Sequence, residues 1–152
     1  MAPRTRAPQG QYAAIMGTYF AGLAGAGLLA RALGRDAPDL GPIDLAVLGA
    51  ATFKASRTIS RDEVGSFLRE PFVEGEDPVE TGDLRQAIGE LVTCSRCVGT
   101  WAAAGLGTAQ ILTPRFGRLL TWTLAAGGLN DWLQAGFAAL TRKADELDRR
   151  AG

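Results

Sequence analysis

The residues with the clearest chemistry are Cys94 and Cys97, the only two cysteines of the chain. They stand three apart in Thr93-Cys94-Ser95-Arg96-Cys97-Val98-Gly99-Thr100-Trp101. On a helix this spacing puts both thiols on one face, and three readings compete. In the first they are small buried hydrophobes at a helix–helix contact, the usual behaviour of free cysteine. In the second they form a redox dithiol, with Arg96 and a helix N-terminus favouring the thiolate. In the third they donate to a metal. Zinc takes four ligands, and without histidine one chain offers Cys94, Cys97 and Glu90, so a structural zinc would require a dimer bringing two pairs together. The lack of any histidine also removes Ser-His-Asp and Cys-His catalysis. No βαβ pattern surrounds the pair as in thioredoxin-like proteins, and the residues imply no cofactor.

Asp131 is the second chemical feature, flanked by Asn130 and Trp132 in an otherwise apolar segment. A carboxylate at the centre of a membrane helix costs about 2.5–3.5 kcal/mol, so it is expected to face other helices and find a cation. Lys54 and Arg96 are the cations at comparable depth. One reading is a proton or ion relay; the other is a polar clamp shared with Asn130 and Gln134.

These residues need helices to position them. Charge is absent from Ala7 to Ala30 and from Cys97 to Pro114. A helix crossing the hydrocarbon needs about 20 mostly apolar residues. Tyr12 to Leu29 meets this. Ile43 to Phe53 is short and contains Asp44, giving either a short span or a helix packed beside the first. Leu84 to Leu112 enters through charged turns, and Leu119 to Leu140 is apolar apart from Asn130, Asp131 and Gln134. A signal peptide is the rival reading of the first segment, with Arg4 and Arg6 as its basic start and Ala30-Arg31-Ala32 as a cleavage site. The apolar stretch exceeds the usual 7–15 residues of such a leader, and Arg31 is unfavourable there.

The balance of 16 basic and 16 acidic residues creates no global field for nucleic acid. The placement of the cations says more. With four spans and both termini in the cytoplasm, the inner side holds Arg4, Arg6, Lys54, Arg57, Arg61, Arg69, Arg85, Arg142, Lys143, Arg149 and Arg150. The outer side holds Arg31, Arg35, Arg115 and Arg118, as the positive-inside bias predicts. The cysteines then sit near the cytoplasmic face, where thiols stay reduced.

Gly17, Ala21 and Gly25, and again Gly99, Ala103 and Gly107, recur at helical spacing. They predict close helix approach in lipid, or simply reflect a Gly- and Ala-rich composition. Ser60-Arg61-Asp62-Glu63 predicts a capping box opening a short helix, with Val64, Phe67 and Leu68 on one face toward the headgroups and Pro71 as its end. Glu74, Glu76, Asp77, Glu80 and Asp83 follow as an acidic loop, read as a solvated connection or else as a partner or cation site.

Several of these segments together resemble a known family. Arg57-Thr58-Ile59-Ser60-Arg61-Asp62-Glu63-Val64, Leu68-Arg69-Glu70-Pro71-Phe72, and Gly89-Glu90-Leu91-Val92-Thr93-Cys94-x-x-Cys97 with Trp101 are similar to the bacterial membrane-protein family catalogued as domain of unknown function 1360, some of whose members are named sporulation proteins. The resemblance covers about Ile43 to Leu140. The family often has proline and an aromatic between its cysteines, where Ser95 and Arg96 stand here. It implies a multi-pass membrane protein and brings no known activity. The expectation is therefore an all-α bundle of four transmembrane helices plus a short interfacial helix. Residues 1–10 form a basic tail, 11–141 the transmembrane domain with a cytoplasmic loop at 57–85, and 142–152 a charged tail. Arg57, Asp62, Arg69, Pro71, Phe72, Glu90, Trp101 and Asp131 join the two cysteines as the residues to follow. The expected role is non-enzymatic assembly in the bilayer, with itself or another membrane protein as partner. The rival is a membrane thiol oxidoreductase or redox sensor. A minimal transporter is a third reading: four short spans leave little room for a substrate cavity unless the chain oligomerises, and no broken-helix repeat is visible.

Overall fold

The computed structural model describes residues 6–36 and 39–151; Arg4 of the basic start and Gly152 of the charged end lie outside the described residues. Four long helices carry the chain: α1 (Gln9–Ala32), α2 (Pro42–Ser60), α5 (Ser95–Leu112) and α6 (Pro114–Ala151). Between α2 and α5 lie the one-turn α3 (Ser66–Arg69) and the ten-residue α4 (Leu84–Thr93). The fold is all-α, as expected. Among the described residues its one β element is a hairpin of β1 (Val73–Glu74) and β2 (Asp77–Pro78), turned at Gly75 with φ of +67°, where the missing side chain removes the steric penalty.

Local chemistry explains the boundaries. Pro42 occupies the first turn of α2, where its missing N–H is harmless, and Asp44 accepts from the Gly41 amide at 3.1 Å. Asp83 opens α4 by accepting from the Arg85 amide at 2.9 Å and the Gln86 amide at 3.4 Å. Pro114 begins α6 directly after Thr113, so α5 and α6 turn back on each other through a single residue. That turn requires Gly117: a Cβ there would lie 2.5 Å from the Ala109 carbonyl and the Gln110 nitrogen.

Helices α2, α5 and α6 pack together as the centre of the bundle, and α1 lies outside against α4 and α5. Their core is small. Ala51, Leu106 and Ala125 form the buried cluster, with Val47, Leu48, Ala50, Leu120 and Leu124 against it. Buried Thr121 donates to the Gly117 carbonyl at 2.8 Å and accepts from Gln110 Nε2 at 2.9 Å. Helices α2 and α6 approach closely at Gly128, where a Cβ would stand 3.0 Å from the Ala50 oxygen.

Several sequence expectations need correction. The single helix expected over Leu84–Leu112 is two helices, because Cys94 takes an extended conformation between them. The Thr93 hydroxyl turns back to the Gly89 carbonyl at 2.8 Å, and such local bonding competes with helix continuation. The capping box at Ser60 does not form. Ser60 ends α2, buried, and its hydroxyl bonds Ser56 and Ser95 instead. The expected short helix is three pieces, with 3-10 turns at Glu63–Gly65 and Glu70–Phe72 around α3. Residues 142–151 are not a separate tail but the end of α6. The small-residue stripe of α1 has open space at Gly17 and Gly25; on α5, Gly99 faces Ser56 and Thr52 at 3.9 Å while Gly107 meets nothing.

Of the four long helices, α1 alone is long and apolar enough to cross a membrane by itself, among the described residues.

Candidate functional site

Two clusters form at the end of the bundle where α2 finishes and α5 begins. The first joins α2 to α6. Lys54 Nζ donates to Asp131 Oδ2 at 2.9 Å and reaches Asp62 Oδ2 at 3.4 Å. Thr58, one turn before Asp62, donates its hydroxyl to the same carboxylate at 2.9 Å. Desolvation acts to raise the Asp62 pKa, but the Thr58 hydroxyl and the Lys54 ammonium outweigh it, leaving the carboxyl below its ordinary range. Phe53 and Trp132 pack edge-to-face at 6.3 Å beside the pair. With Arg57 they line an open cleft of about 510 Å³. Of the two cations expected for Asp131, Lys54 is the one that binds it. Asn130 and Gln134 take no part in the clamp: both are exposed.

Arg69, Pro71 and Phe72 serve the connection beneath this cleft. Arg69 donates one guanidinium nitrogen to the Ile59 carbonyl at 2.6 Å and the Asp62 carbonyl at 3.1 Å, closing the C-terminal end of α2. Gly65 fits under it against the Thr58 carbonyl, with no room for a Cβ. Arg85 of α4 donates to the Pro71 carbonyl at 2.7 Å, and the Val79 amide donates to Phe72 at 3.1 Å. Gly89 lets α4 sit directly on Phe72 and Pro78. The resembled motif elements thus fasten one folded connection.

The second cluster joins α1 to α4 and α5. Glu90 is the hub: Tyr12 and the Ala7 amide donate to its carboxylate from the α1 side, and Gln86 Nε2 donates at 3.1 Å from one turn earlier on α4. Higher on the same face, Trp101 packs edge-to-face on Tyr19 with ring centroids 5.2 Å apart. Between these fastenings lies a cavity of about 510 Å³ whose wall includes both cysteines, Glu90, Tyr12, Met16 and Trp101.

The thiols do not lie within one helix, although both line the same cavity. Cys94 sits in the capping position of α5, and its Sγ accepts from the Cys97 amide at 3.4 Å. This is the place of a serine or aspartate oxygen at other helix starts. Cys94 is half-buried and Cys97 exposed, and both are free. Neither thiol is buried in the isolated chain: Cys94 caps α5, and both line the cavity. Among the described residues no three Cys, Asp or Glu gather as a metal-binding group. The two-chain zinc site remains a matter of assembly.

Sequence reasoning found Glu90, Trp101, Lys54 and Asp131 but missed Tyr12, Gln86 and the Ser60–Ser95 hydroxyl contact at 2.6 Å. Gln86 and Glu90 stand four apart, a spacing that could have suggested the pair. Nothing local to Tyr12 or Ser95 points to partners 78 and 35 residues away.

No curated protein and no solved structure matches the chain. A family model, described as a protein of unknown function (DUF1360), matches residues 47–137, from the second turn of α2 to the second half of α6. That span contains the Lys54 cleft, the Arg69 fastening and both cysteines, and the chain belongs to this family.

Proposed function

We propose that the chain is a multi-pass α-helical membrane protein that works through the Cys94–Cys97 dithiol. The membrane reading is supported by an inverted distribution of side chains. Of the eight buried apolar residues among those described, five are alanines, while twenty-three large apolar residues are exposed. Phe137 is 74 %, Leu140 73 % and Trp132 68 % exposed. In water such a surface would be an aggregation liability. In lipid, large side chains outside and small ones between the helices are the expected arrangement. The dimensions agree: α2 and α5 are about 28 and 27 Å long, close to the roughly 30 Å hydrocarbon core. Helix α6, at about 57 Å, would cross and continue into the cytoplasm, where Glu146 pairs with Lys143 and Arg150. Helix α1 is fastened to α4 and α5 through Tyr12 and Tyr19, which supports its being a permanent part of the bundle.

The observation that carries the functional reading is the Cys97 amide held on Cys94 Sγ at the start of α5. Amide donation and the positive end of the helix favour a thiolate at Cys94, and Cys97 is placed to resolve it as a disulfide. The test is a redox titration of the protein in lipid nanodiscs against glutathione buffers, counting free thiols by maleimide gel shift. Two thiols lost together, without dimer formation, and blocked by Cys94→Ser support the reading. Failure to form an intramolecular disulfide at any potential overturns it.

One observation favours a second reading, assembly without catalysis. Asn130 and Gln134 stand one turn apart on α6, exposed, at a depth where lipid offers no hydrogen bonds. Polar side chains in that setting join helices of separate chains. Cross-linking through Gln134→Cys would report such a contact.

A further inference from the structure

We infer that the cavity between α1 and the α4–α5 junction is a binding site for a lipid-soluble quinone, which accepts the two electrons of the Cys94–Cys97 dithiol. This deepens the dithiol reading above and rests on it. Three features of the cavity point to this occupant. Its volume of about 510 Å³ lies within the 300–1,000 Å³ of small-molecule sites. Its walls are nearly all apolar or aromatic, with Met16, Tyr19 and Trp101 offering flat faces and a polarisable sulfur to a ring. Its polar groups are few: the two thiols, the Glu90 carboxylate with the Tyr12 hydroxyl bound to it, and the hydroxyls of Thr100 and Tyr19. A metal or a sugar would need more polar ligands than this. A planar, apolar two-electron acceptor needs only these.

The cavity is walled by α1, α4 and α5, helices that the membrane reading sets in or beside the bilayer. On the membrane reading, a lipid-soluble occupant is the kind of molecule that the surroundings supply. The chemistry balances within the site. The Cys94 thiolate adds to a quinone ring carbon, forming a C–S bond, and the displaced electron pair moves to a quinone oxygen. Cys97 then attacks Cys94 Sγ, so that the S–S bond forms as the C–S bond breaks and the electron pair passes to the ring. The two thiol protons end on the hydroquinone oxygens, and Glu90 is the carboxylate in the same wall able to carry one of them. The dithiol is oxidised by two electrons and the quinone reduced by two.

The experiment uses the full chain, reduced and free of excess reductant, in nanodiscs with decyl-ubiquinone as the probe. Quinone absorbance and free thiols are followed together. The expected result is one quinone lost per two thiols, with the reaction about tenfold slower in Met16→Trp, because a filled cavity removes the pose that holds the reactants together. Met16 is 50 % exposed, so the larger ring does not need to enter a core. The glutathione titration of Met16→Trp should match that of the unaltered chain, showing that the dithiol itself is intact. Thiols that respond to glutathione but not to quinone would overturn the quinone site and leave the dithiol reading standing. Thiols that respond to neither would remove both. Equal rates in Met16→Trp and the unaltered chain would place the reaction outside the cavity and overturn the site. A cavity that retains phospholipid against excess quinone, seen by native mass spectrometry, would do the same.

Discussion

Removing one partner of the Lys54–Asp131 pair distinguishes a bundle in lipid from one in water. The ammonium and carboxylate are 2.9 Å apart, with side chains 24 % and 40 % exposed in the isolated chain. If water reached that surface, the pair would behave as a surface salt bridge worth about 0.2–1 kcal/mol. In lipid, the exposed fraction faces hydrocarbon. Lys54→Met then leaves a lone carboxylate in the span, which costs about 2.5–3.5 kcal/mol, and Asp131→Asn leaves the ammonium with Asp62 alone at 3.4 Å. The double variant removes both charges and the penalty with them. The assay is a double-mutant cycle of unfolding free energy in bicelles. We expect about 2–3 kcal/mol lost in Lys54→Met, and a double variant losing much less than the two single losses combined. Single losses below about 1 kcal/mol that simply add would refute the reasoning, because they would describe a solvated pair.

Three other outcomes follow from particular contacts. Gly117→Ala forces a methyl against the Ala109 carbonyl across the α5–α6 turn and should cost more than about 2 kcal/mol by thermal unfolding, whereas Gly107→Ala, with open space, should be nearly neutral. The Thr52 hydroxyl is buried with no partner among the described residues, so Thr52→Val should keep or raise the melting temperature, since an unpaired buried hydroxyl costs about 1–3 kcal/mol. The Asp62 carboxyl, held below its ordinary value in the fold, adds stability that is complete above the unfolded value of about 3.9 and lost as pH falls from there through the depressed folded value. Asp62→Asn should therefore flatten the acid side of the stability profile.

The helices were readable in the sequence because apolar runs and prolines set them locally. Leu119–Leu140 and Tyr12–Leu29 each lie inside an observed helix, and Lys54 was identified as a cation for Asp131 by comparing depths. The break at Cys94 was not readable, because the uncharged run to Pro114 hides a cysteine acting as a helix cap. The capping box at Ser60 failed for a tertiary reason: the buried end of α2 needs that hydroxyl for Ser56 and Ser95. The α1 glycine stripe predicted packing that Tyr12 and Tyr19 perform instead, through a carboxylate and an indole on distant helices. The family resemblance singles out the Arg69 element and the cysteines, but their geometry, one as fastening and the other as cavity wall, belongs to the fold.

The most direct test of the membrane account is labelling of single cysteines with an impermeant maleimide, in a Cys94→Ser, Cys97→Ser background. Asp39→Cys lies before α2, Arg149→Cys near the end of α6, and Leu129→Cys on the outer face of α6, 60 % exposed in the isolated chain. The account predicts labelling of Asp39→Cys in intact cells and of Arg149→Cys only in inverted vesicles. It predicts none at Leu129→Cys until detergent is added. Ready labelling of Leu129→Cys from either side without detergent would contradict a bundle embedded in lipid.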